Sequence, residues 1–223
     1  MHLTRARLRL EDSAARIAAA RTLDQADRDR GHKLVWTLFH REAHPEDRRA
    51  FLYRETGPGA FLVLSRDPPA PAEPIWEVES RPFAPALSEG QRLAFLLRAN
   101  TTRDDKAGRS GDQRGRRVDV VAQAQLAAPD DPAAARDAAR DWLELRLDRI
   151  GATLVRDATV LEGHQTARIL RERRRGHTDT RFGVADLSGE LIVRDPAALV
   201  AGIAGGVGRA RAYGCGLLLI RPV

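Results

Sequence analysis

Phe51-Leu-Tyr-Arg-Glu-Thr-Gly-Pro-Gly-Ala-Phe-Leu-Val-Leu64 is the stretch whose reading decides the fold. Two apolar and aromatic runs flank Gly57-Pro58-Gly59, so the segment reads as two strands joined by a tight turn. Upstream, Leu34, Val35, Leu38 and Phe39 recur at helical spacing beside Trp36. They predict a helix from His32 that stops before His44-Pro45, because proline disfavours helical backbone in the residue preceding it. Leu3, Ala6, Leu8 and Leu10 mark a first strand over 2–10, and Asp12-Ser13 caps a short helical stretch around 14–21. Downstream, the proline-rich Pro68 to Pro74 is a loop, and Ile75 to Glu79 is a further strand. The order strand, helix, strand, strand, strand follows the ferredoxin-like plan shared by RNA-recognition-motif domains.

The second half repeats the theme. After a linker from Pro82 to Gly90, Arg92 to Ala99 is a strand. A polar loop at 101–115 carries Arg103, Lys106, Arg109 and Arg114 and leads into Arg116-Arg117-Val118. Asp130-Asp-Pro132 opens a helix over 133–149 that holds Trp142, Leu143, Leu145 and Leu147. Strands are expected near 151–161, 164–173 and 180–194. Asp195-Pro196, a good N-cap and first-turn pair, then opens a helix over Ala197 to Ile203. A glycine-rich loop and a buried strand at Leu217 to Ile220 complete the pattern. The fold class is α+β, with two tandem ferredoxin-like (RRM-like) β-α-β-β-α-β domains at 1–85 and 91–223.

Composition narrows the function. A net charge of +6 favours an anionic partner. Lysine occurs only at Lys33 and Lys106, so arginine is the general basic residue of this chain and its position matters more than its number. Cys215 is the single cysteine, which excludes an intramolecular disulfide and a cysteine-based zinc cluster. The N-terminus has no signal-peptide core and no apolar run approaches membrane-spanning length, so a soluble cytoplasmic protein is expected, with no membrane partner.

Three motifs remain. Gly206-Val-Gly208-Arg209-Ala-Arg211-Ala-Tyr-Gly-Cys-Gly216 combines glycines, which let backbone N–H groups approach a phosphate, with two arginines. Its spacing fits neither the dinucleotide fingerprint nor the P-loop, and a plain glycine-rich turn between helix and strand would look similar. Arg168-Ile-Leu-Arg171-Glu-Arg173-Arg174-Arg175-Gly176 reads as one limb of a hairpin too charged for a core, suited to a nucleic-acid groove or to solvent. None of the six histidines lies at metal-ligand spacing with a carboxylate set, so no metal and no cofactor are expected. By pattern alone, His32 is a helix-start histidine like any structural one.

The chain resembles the CRISPR repeat-processing endoribonucleases of Cascade, the CasE (Cse3) family. Met1-His-Leu-Thr-Arg-Ala resembles that family's first strand, and His32-Lys-Leu-Val-Trp36-Thr-Leu-Phe39 its catalytic-histidine helix. Leu97-Arg98-Ala99-Asn100, Arg116-Arg117-Val118 and the Gly206 to Leu218 segment match its later motifs, with Arg211 where many relatives have lysine. The resemblance implies a CRISPR repeat RNA stem-loop as substrate and the mature crRNA as retained product. It also implies the other Cascade subunits as partners, especially the backbone subunit. Cleavage would be metal-independent, by 2′-hydroxyl attack, leaving a 2′,3′-cyclic phosphate. His32 would be catalytic. RNA would be held by Arg98, Arg103, Lys106, Arg116, Arg117, Arg168, Arg171, Arg173, Arg174, Arg175, Gly206, Gly208, Arg209 and Arg211. Where relatives often carry a helper tyrosine three residues before the histidine, this chain has Asp29. A carboxylate on the same helical face would raise the histidine pKa and favour an acid role.

Two other readings compete. A non-cleaving RNA-binding subunit of the same complex would bind the repeat and leave it intact. A general RNA-recognition module would need exposed strand aromatics, and aromatic residues make up only 5% of the chain.

Overall fold

The computed structural model describes residues 1–9, 11–13, 30–39, 51–71, 75–105, 116–173 and 176–223, with the backbone alone at 30, 116, 168–173 and 176–180. The helical stretch expected at 14–21, Asp29, His44-Pro45, Lys106, Arg109, Arg114, Arg174 and Arg175 lie outside the described residues, and the helix expected to run on toward His44 ends at Trp36.

By internal contacts the chain forms two compact units. The first comprises Met1–Ala86, Ile169–Thr180 and Ala210–Leu217; the second comprises Leu87–Arg168, Arg181–Arg209 and Leu218–Val223. The first unit is built on strands β1 (His2–Leu8), β2 (Phe51–Gly57), β3 (Ala60–Ser65) and β4 (Trp76–Pro82), with helix α1 (Arg30–Trp36) between β1 and β2. The sheet order is β2-β3-β1-β4, and β1 is antiparallel to both of its neighbours. This is the ferredoxin-like order. Alternation places Thr4, Ala6 and Leu8 of β1 on the buried side, while Leu34, Val35 and Leu38 come from the helical segment to meet Phe51, Tyr53, Phe61, Val63 and Trp76. The described residues between β3 and β4 are loop, in keeping with Pro68, Pro69 and Pro71, which remove backbone donors.

The second unit has the sheet order β10-β5-β9-β8, from β5 (Arg92–Ala99), β8 (Ala152–Arg173), β9 (Gly176–Val193) and β10 (Leu218–Pro222). Inward-facing Leu93, Phe95, Leu97 and Ala99 of β5 are fully or nearly fully buried. Trp142, Leu143 and Leu147 of α3 (Ala134–Arg149), and Leu199 and Ile203 of α4 (Pro196–Gly205), are buried as well. Two short strands, β6 (Thr102–Asp105) and β7 (Arg116–Asp119), stand apart as a separate ribbon.

Two sequence expectations change. The three strands expected between 151 and 194 are two long ones, because β8 continues through Gly163 as far as Arg173 and β9 begins at Gly176. A single glycine without a second turn residue does not end a strand. The loop expected at 101–115 opens instead as strand β6, and after Val118 the chain is helical as α2 (Val120–Ala127), where the Asp119 side chain accepts the Val121 and Ala122 N–H groups and caps it.

Candidate active site

His32 sits in α1 among aromatic rings. Its ring centroid is 6.0 Å from Trp36, 5.6 Å from Phe51 and 6.3 Å from Tyr53. The helix places Trp36 one turn after His32, and the indole Nε1–H donates to His32 Nε2 at 2.9 Å. An indole nitrogen is only a donor, so Nε2 must be the unprotonated nitrogen and Nδ1 carries the hydrogen. Nδ1 is buried and has no hydrogen-bond partner among the described residues. Burial lowers the His32 pKa, and the indole donor favours the neutral ring further. This direction is opposite to the one that pairing with Asp29 would give.

Tyr53, which sequence reasoning passed over, ties the histidine helix to the C-terminal glycine-rich segment. It is 4% exposed, and its hydroxyl donates to the Ala212 carbonyl at 3.0 Å. Its ring fits against Gly31, where an added Cβ would lie 3.1 Å from both Cε2 and the hydroxyl oxygen. Ala212 belongs to a 3-10 turn, Arg211–Tyr213, entered through the left-handed Ala210 and left through Gly214. Arg211 is thereby fixed in the same unit as His32. The missed signal was a tyrosine in the buried, apolar first half of a strand, whose hydroxyl needs a partner once buried.

The remaining basic residues fall mostly in the second unit. Arg98 is half-buried on β5, 3.6 Å from Asp186. In the β6–β7 ribbon, Asp104 pairs with Arg117 and Asp105 with Arg116, so acidic residues lie directly opposite the basic pair; Arg103 is exposed opposite Val118. Arg168, Arg171 and Arg173 lie along the far half of β8. Gly206 caps α4, and Gly208, at φ +81°, brings the chain against the Trp142 ring, where a Cβ would stand 3.2 Å away. Arg209 pairs with Asp104, and its backbone bridges to Asn100. The glycine-rich segment thus divides, with Arg209 in the second unit and Arg211 in the first.

Asp119 organises the base of the ribbon. Besides capping α2, it accepts from Thr101 Oγ1 at 3.0 Å and from His164 Nε2 at 2.9 Å. Burial pulls its carboxyl upward, but the bond and charge of His164 with the Thr101 and Ala122 donors outweigh it and leave the pKa below the usual value. Among the described residues no three or more His, Cys, Asp or Glu side chains are grouped to hold a metal, and no helix is long and apolar enough to cross a membrane.

A family model described as CRISPR associated protein matches residues 1–222. The CRISPR-associated endoribonuclease Cse3 of Thermus thermophilus is 31% identical over 165 residues, covering 67% of this chain and 69% of the relative. A structure of CRISPR endoribonuclease Cse3 bound to a 19-nucleotide RNA superposes with a TM-score of 0.72 at 28% identity, covering 100% of both chains. Thermus thermophilus Cse3 bound to an RNA representing a pre-cleavage complex gives 0.65 at 29% identity, over 99% of this chain and 98% of the other. With the family model spanning almost the whole sequence and the histidine helix and glycine-rich turn in one unit, this chain belongs to the CRISPR-associated protein family, among the Cse3 (CasE) proteins.

Proposed function

We propose that this protein is a cytoplasmic endoribonuclease that cuts CRISPR precursor RNA at the 3′ base of the repeat stem-loop and then stays on its product as a Cascade subunit. The observation that carries this reading is His32, a neutral histidine whose buried Nδ1–H has no partner among the described residues, in the unit that also holds the Arg211 turn. Similarity to Cse3 proteins whose structures contain RNA supports the substrate class.

The reaction suited to these groups is internal transesterification. As the RNA seats, the 2′-hydroxyl replaces the Trp36 indole as donor to His32 Nε2. The ring takes that proton while the 2′-oxygen forms its bond to phosphorus. The bond from phosphorus to the 5′-oxygen breaks, and that oxygen takes up a proton, leaving a 2′,3′-cyclic phosphate and a 5′-hydroxyl. A base held neutral at physiological pH fits the first proton transfer. Arg211 supplies positive charge where the phosphorane develops. The mechanism requires the 2′-hydroxyl, so DNA escapes cleavage.

The test incubates the protein with a CRISPR repeat RNA in EDTA, beside the same RNA carrying one 2′-deoxy residue at the cut. Cleavage of the all-ribose strand alone, lost in His32→Ala while binding persists, is the expected result. Tight binding with no cleavage would identify a non-cleaving RNA-binding subunit. No binding would refute the assignment of substrate.

A further inference from the structure

We infer that Arg146, Arg149 and Arg209 form a phosphate-binding site against Trp142 in the second unit, holding a backbone phosphodiester of the RNA that passes the base of the β6–β7 ribbon. The inference deepens the proposed function, since it takes RNA as the ligand.

Trp142 is the platform. The Arg146 guanidinium lies over its ring at 3.7 Å, and Gly208, next to Arg209, lies against the ring edge. Arg146 is held from two sides, donating to the Trp142 carbonyl at 2.8 Å and to the Thr102 carbonyl at 3.5 Å. Trp142 Nε1–H shares the Thr102 carbonyl at 3.4 Å. A guanidinium has five N–H donors, so three of Arg146 remain.

Charge around this platform is unbalanced. Among the described residues neither Arg146 nor Arg149 has a carboxylate partner, and Arg209 has one, Asp104. Three guanidiniums thus share a single carboxylate. Helix polarity accounts for a cation in the last turn of α3, where Arg146 and Arg149 stand. It does not account for Arg146 folding back onto Trp142, or for the convergence of Arg209 from the glycine-rich segment. Their mutual repulsion is physical: burial first, then the charges of Arg149 and Arg209, lower the Arg146 pKa to about 10. An incoming phosphodiester relieves that repulsion and competes with Asp104 for Arg209.

The location selects RNA over an acidic protein segment. Arg146 and Arg209 both hold residues 100–104, which lead into the ribbon bearing exposed Arg103 and Arg117. A strand following the ribbon would meet successive cations along one phosphate backbone.

The experiment measures repeat-RNA affinity against salt for the full-length protein and three variants. Arg149 is exposed, so Arg149→Gln removes a charge without opening the core. It is expected to weaken binding roughly fivefold near about 0.15 M salt and to lower the salt slope by about one. Asp104→Asn removes the competing carboxylate and is expected to tighten binding. Arg136→Gln, at the other end of α3, is the charge control. A slope for Arg149→Gln equal to that of Arg136→Gln, or weaker binding by Asp104→Asn, would overturn the site. If wild-type protein binds no repeat RNA, the proposed function fails, and thermal unfolding in tripolyphosphate decides the site separately. A rise in Tm for wild type that shrinks in Arg149→Gln upholds the anion site. An equal response in both, or none, rejects it.

Discussion

At the scale of single residues, the Trp36 to His32 hydrogen bond governs what the histidine can do. The indole occupies the one lone pair able to accept a proton, so neutrality is built into the helix by a residue four positions on. With burial acting in the same direction, the folded His32 pKa lies below its ordinary value of 6.5. A base must be unprotonated to act. Cleavage is therefore expected to rise with pH through a limb below 6.5 and to be level at neutral pH. Trp36→Phe removes the opposing donor, which raises the His32 pKa and moves that limb upward. A pH-rate profile checks this directly, and an unmoved limb would show that Trp36 only packs. Tyr53→Phe keeps the ring and loses the bond to Ala212. The expected cost is about 1 kcal/mol of stability, with a fall in kcat larger than any change in RNA affinity, because Arg211 rides on that turn. Denaturant unfolding and single-turnover cleavage give the two numbers.

Elements in this protein are held by a few polar side chains placed where short segments meet. Asp119 joins β7, α2 and β8 through Thr101, two capped N–H groups and His164. Gly183 makes room for it, since a Cβ there would lie 1.7 Å from Asp119 Oδ2. Gly183→Ala is expected to push the carboxylate from its cap and cost about 2 kcal/mol or more. Thermal unfolding measures the loss, and a neutral result would mean the carboxylate has other room. This arrangement was hidden in the sequence. Asp119 directly follows the Arg116-Arg117-Val118 motif and drew no reading of its own, and no local pattern links it to a histidine 45 residues away. The long β8 and β9 were hidden for another reason. Gly163 interrupts the apolar pattern, although β8 runs through it unbroken.

For the molecule as a whole, the ferredoxin-like order was readable because strand alternation and the α1 apolar stripe are both local. Leu34 and Val35 of α1 and Leu38 in the turn after it follow one apolar spacing, and all three are buried. His32 was singled out only through the family motif around it, since by pattern alone it is an ordinary helix-start histidine. Tyr53, Trp142 and Arg146 were not readable, because their roles depend on carbonyls and rings far along the chain. The net charge of +6 acts at this scale too. If about six phosphates are neutralised, affinity should drop by about a thousandfold between about 50 and 200 mM salt. Filter binding across that range checks it, and a flat response would argue that charge does little here.

The Tyr53 hydroxyl waits for a carbonyl that lies 159 residues further along the chain. During translation the histidine helix and its strand leave the ribosome long before Ala212 is made. A nascent protein interrupted anywhere in that interval carries His32 but lacks the turn that brings Arg211 beside it in one unit. On the proposed mechanism, incomplete products hold the base without the cation, and nuclease activity is expected only once synthesis has passed the glycine-rich segment.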